Sequence, residues 1–157
     1  MTELVLVGGI FLLALLAGFV PFVSVELALI VSAATHPSLS VLLALALVAA
    51  AGLMVGKGCF FLGGRSAFSW SRRRSRRPRL RLRLPSFLNR ATGKPRVAAA
   101  TVFVSAATGV PPFAVVSPLA GGWHLRLSSF LVVGFAGKSA RFAGIVLVPG
   151  LLAALHP

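Results

Sequence analysis

The chain has 157 residues, 57% hydrophobic and 11% charged, with 16 Lys and Arg against two acids and a formal net charge of +14. Such an apolar excess excludes both a disordered chain and an ordinary soluble domain, and it points to a multi-pass membrane protein. A single cysteine, Cys59, excludes an intramolecular disulfide and a zinc-type cluster; packing is its expected role, and no metal or cofactor is expected.

In chain order, the first apolar tract covers residues 4–30. Its leader, Met1-Thr2-Glu3, is acidic where a cleaved signal would be basic, so a retained segment is expected. Pro21, in "GFVPFVSVELAL", should break the tract, because proline removes a backbone donor and clashes with the preceding turn. Residues 4–20 barely reach across about 30 Å of hydrocarbon and residues 22–34 fall short, so the pair predicts a re-entrant hairpin.

Residues 41–62 form an unbroken tract that predicts a spanning helix, closed by Arg65. Twelve of the sixteen cations then fall between Arg65 and Arg96, in a stretch that belongs on the cytoplasmic side by the positive-inside rule. Pro78 and Pro85 argue against one continuous helix through it. A basic run can bind nucleic acid, but in so apolar a chain a topology anchor touching anionic lipid headgroups is the better reading, and no nucleic-acid partner is expected.

Residues 97–120 are broken at Pro111 and Pro112, in "GVPPFAVVSPLAGG", which predicts a second re-entrant hairpin. Residues 127–155 supply a second unbroken tract, opened by Arg126. His36, His124 and His156 stand far apart at segment ends, which suits interfacial positions rather than metal ligation.

Each spanning tract carries the frame G-K-x-x-x-F-x-G, as "GKGCFFLG" at 56–63 and "GKSARFAG" at 137–144. The order hairpin, spanning helix, frame therefore occurs twice, and because each unit crosses once the second copy must be inverted. This predicts an all-α membrane domain over residues 1–157, with a first repeat at 1–64, a basic loop at 65–96 and a second repeat at 97–157. Both termini then lie outside the cell membrane.

"GFAGKS" is not a phosphate-binding P-loop, since Val132 stands where the first glycine is required and the surroundings are helical. Gly52 and Gly56, and the frame's Gly137 with Ala140 and Gly144, are instead expected to give close helix contacts, with a homo-oligomer left open. Lys57 has the option of snorkelling toward the interface, which Lys138 has less. With Arg141, these lysines are expected to face a polar interior where Glu26 neutralises one of them and the remainder attract an anionic group such as a phosphate headgroup. Glu26 either pairs structurally or exchanges a proton; both readings stand at this point.

Four stretches, "VPFVSVELAL", "AAAGLMVGKGCFFLGGR", "GVPPFAVVSPLAGG" and "SSFLVVGFAGKSARF", taken in this order, resemble the DedA-type membrane proteins, also called the SNARE-associated or VTT-domain family. They cover most of the chain outside the basic loop, although the better studied branch has arginines around the second hairpin proline where this chain has Ser105, Thr108 and Phe113. The resemblance implies two inverted re-entrant hairpins with spanning helices and a role in moving phospholipids or polyprenyl phosphates across the bilayer, with Glu26 as the hairpin acid. A proton-coupled exporter of small cations and a non-transporting scaffold are the alternatives. With no carboxylate pair and no nucleophile beside a base, an enzyme is not expected.

Overall fold

A computed structural model describes residues 2–20, 25–35, 38–74, 94–123 and 125–155, with side chains at 5–20, 25–32, 38–70, 94–123 and 125–147. Among the described residues all regular structure is helical. The helices are α1 (Thr2–Phe19), α2 (Val25–Thr35), α3 (Leu39–Arg74), α4 (Pro95–Thr108), α5 (Phe113–Gly122) and α6 (Leu127–Leu155). By length and composition two of them can cross a membrane, over Leu39–Trp70 and Leu127–Leu147. Pro21, the three histidines and residues 75–93 of the basic stretch lie outside the described residues.

The expected end of the first long helix at Arg65 is corrected: α3 runs on to Arg74. A change from apolar to basic side chains does not interrupt backbone hydrogen bonding. Residues 65–74 contain neither Gly nor Pro, and Arg and Ala favour the helix, so nothing local stops it. Thus the first ten residues of the expected loop are helical.

The break between α4 and α5 has visible causes. Gly109 closes α4 at φ 82, the left-handed region open to glycine, and its N–H donates to the Ser105 carbonyl at 2.9 Å. The Ser105 hydroxyl donates to the Pro111 carbonyl at 2.6 Å, while Pro112 caps α5. Pro118 inside α5 lacks an N–H, and the neighbouring Ser117 hydroxyl donates to the Phe113 carbonyl at 2.6 Å. α4 and α5 pack together, as do α1 and α2.

The chain divides into two compact units that cut across the expected repeats: residues 1–56 with 135–157, and residues 57–134. In the first, Ile10, Ala14 and Ala17 of α1 meet Val25 and Leu29 of α2. The α3 face from Leu42 to Leu53 and Phe142 and Val146 of α6 complete this core, at the i, i+3 and i+4 spacings that keep side chains on one helix face. Gly52 and Gly56 bring α3 onto α1: a Cβ at Gly52 would stand 2.7 Å from the Phe11 carbonyl oxygen, and one at Gly56 2.8 Å from the Gly18 Cα. Backbones meet there because no side chain intervenes.

In the second unit an aromatic stack replaces the small residues. Phe61 of α3 lies 4.7 Å from Phe130 of α6, and Phe130 lies 5.9 Å from Phe113 of α5, measured between ring centroids. Beside the stack, Gly64 presses on the backbone of Pro118, Gly121 presses on Phe61 and Arg65, and Gly122 lies under the Phe68 ring. The α3 positions that meet α5 are therefore 61, 64, 65 and 68, a single face at i, i+3, i+4 and i+7.

Candidate anion site

Lys57 lies near the middle of the 36-residue α3, with about 26 Å of helix on either side at about 1.5 Å per residue. It is 6% exposed, so the expected option of snorkelling to the helix end is not taken. Its ammonium sits 5.1 Å from the centroid of the Phe60 ring, one turn on, within cation–π range. Residues 57–134, the unit that contains Lys57, include no Asp or Glu.

The second frame repeats this burial. Lys138 is 8% exposed, with its ammonium 5.7 Å from the Phe142 ring. In both frames the leading glycine (Gly56, Gly137), the lysine and the phenylalanine (Phe61, Phe142) are buried. The ring beneath the ammonium differs, being three residues on in the first frame and four in the second. Each lysine belongs to its own unit.

Glu26 lies in the first turn of α2, where a carboxylate meets the positive end of the helix dipole. It pairs with Arg141 of α6 at 2.7 Å; both side chains are partly exposed, at 37% and 25%. Of the three intramembrane cations expected to compete for this acid, the structure brings Arg141 to it. A bidentate-capable guanidinium suits a carboxylate better than an ammonium point charge does. Beside Lys138, the Ser139 hydroxyl is buried and has no hydrogen-bond partner among the described residues.

Two expectations need correction. Among the described residues, a Cβ at Gly144 would meet nothing within 4 Å and Ala140 is exposed, so this pair makes no close helix contact there, although Gly137 is buried. Cys59 is exposed rather than packed, because its position on α3 falls away from the face that meets α5.

Other features escaped the sequence reading. Gly18, opposite Gly56, is preceded by Ala14 at the same four-residue spacing that identified Gly52 and Gly56, so its signal was present. Gly121 carries the same signal, standing four residues after Ser117, whereas Gly64 had none, since Phe60 and Phe68 stand four residues to either side and its contact depends on a distant element coming close. Comparisons of the chain with protein-family models, curated proteins and solved structures give no match.

Proposed function

We propose that the chain is a multi-pass protein of the cell membrane that moves anionic lipids, phospholipid or polyprenyl phosphate, across the bilayer, as its resemblance to the DedA-type proteins implies. In this reading the paired short helices are re-entrant hairpins, the two halves are inverted repeats, and residues 65–96 face the cytoplasm. Matching burial of the two frames supports the repeat. Lys57 is the principal headgroup contact in its own unit; Lys138 and Arg141, in the other unit, are proposed as headgroup contacts there.

The observation that carries the reading is the buried Lys57 ammonium in a unit without any carboxylate. A charge at such depth costs roughly 2.5–3.5 kcal/mol on insertion scales, and buried cations are retained where they meet a counter-charge. A phosphate brought in by the substrate supplies that charge. Glu26 beside Arg141 is the proposed proton-coupling pair. That pairing weighs against the exporter reading, which needs an acid open to small cations.

The test is reconstitution into vesicles with labelled phosphatidylglycerol and with labelled polyprenyl phosphate. Transbilayer movement of either, reduced at least about tenfold in Lys57→Met, is expected from the loss of one charge-assisted contact. Movement of neither lipid overturns the proposal. If Glu26 couples transport to protons, Glu26→Gln leaves movement insensitive to an imposed pH gradient.

A further inference from the structure

α3 is longer than a hydrocarbon crossing requires. Its 36 residues extend about 54 Å at about 1.5 Å per residue, against about 30 Å of hydrocarbon and about 40–45 Å with both headgroup layers. Between Leu39 and Gly64 the only charged residue is Lys57; from Arg65 onward the helix becomes basic and ends on Arg72, Arg73 and Arg74. Measured from Leu39, Trp70 lies about 46 Å along the axis, at the far edge of a bilayer crossed nearly upright.

This end of α3 has a defined orientation within its unit. Positions 61, 64, 65 and 68 meet α5, so the 100° step per residue turns Trp70 to the opposite side of the helix. Trp70 is 61% exposed, the most exposed of the large apolar side chains at this end of α3, where every residue from Arg65 to Trp70 is exposed and Phe68 on the α5 side is at 42%. An exposed tryptophan two residues before a run of arginines, on a helix emerging from an apolar span, has the amphipathic character that headgroup layers favour.

We infer that residues 65–74 form an interfacial arm of α3 that binds anionic phospholipid headgroups. Trp70 rests at headgroup depth, and the basic run that follows it in the sequence supplies the positive charge for lipid phosphates. The partner is chosen by charge: after Glu26 the chain contains no acid, so this arm has no carboxylate of its own sequence neighbourhood to compete with lipid. The surface thereby selects anionic over zwitterionic lipid around the protein, independently of any headgroup held at Lys57.

The chain has two tryptophans, Trp70 and Trp123, and Trp123 is 2% exposed. In Trp123→Phe, emission therefore reports on Trp70 alone. The protein is placed in vesicles of phosphatidylcholine, with and without phosphatidylglycerol, and quenched with aqueous acrylamide and with lipids brominated at shallow or deep chain positions. Shallow bromines should quench most. Adding phosphatidylglycerol should lower the acrylamide quenching constant about twofold, an effect that salt and the triple change Arg72→Gln, Arg73→Gln, Arg74→Gln abolish.

Quenching chiefly by deep bromines, or acrylamide access that is equal in both lipid mixtures, overturns the inference. Should Trp123→Phe fail to fold, the difference between the unmodified chain and Trp70→Phe gives the same readout. No transport is needed for this measurement, so a protein that moves no lipid can still meet it.

Discussion

Lys57 holds its ammonium beside one aromatic ring at 6% residue exposure. A cation–π contact returns roughly 0.5–2 kcal/mol, less than the insertion cost of a central lysine, so the residue is expected to cost stability. Lys57→Met should raise stability by about 1–2 kcal/mol in detergent unfolding while headgroup affinity falls about tenfold. A variant that loses stability in parallel with binding would make Lys57 structural.

At the same scale, the partly exposed Glu26–Arg141 pair holds α2 against α6. Glu26→Gln should cost under about 1 kcal/mol, and adding Arg141→Met should recover part of it, a coupling that a double-mutant cycle reads directly. The presence of a lone acid among several cations was legible in the sequence. Which cation took it was not, because Arg141 lies 115 positions away and only the packing of α2 on α6 decides the match.

At the scale of the elements, glycines divide by what stands opposite them. Gly56→Ala would drive a Cβ to 2.8 Å from the Gly18 Cα and 2.9 Å from the Leu15 carbonyl oxygen, both rigid backbone. A loss of about 1–3 kcal/mol in thermal or detergent unfolding is expected. Gly144→Ala meets open space and should be neutral or stabilise by up to about 1 kcal/mol, through better helix propensity. Equal effects at the two positions would contradict the α1–α3 contact. The breaks around residues 109–112 were legible because Gly and Pro act locally; the extension of α3 was not, because a change of side-chain polarity resembles an end while the backbone continues.

For the whole molecule, the proposed lipid movement and the inferred surface binding are assigned to different parts of the chain, which makes them separable by experiment. Deleting residues 71–84 should leave lipid movement in vesicles within about twofold of the full chain, since Lys57, Glu26 and Arg141 are untouched, while removing the response of Trp70 to phosphatidylglycerol. Loss of lipid movement together with that response would favour the scaffold reading over transport.

Composition and period by themselves determined a helical, strongly apolar chain, its two long apolar helices, the break at Pro111 and Pro112, and the isolation of its few acids among many cations. These follow from short-range sterics and from the solvation of each residue type, which need no knowledge of neighbours. Only the tertiary structure decided that Glu26 meets Arg141, that Gly18 faces Gly56 while Gly144 faces open space, that Cys59 is exposed, and that α3 turns Trp70 away from α5. Each of those depends on which surfaces of distant helices approach within a few ångströms, and helical periodicity constrains that choice without fixing it.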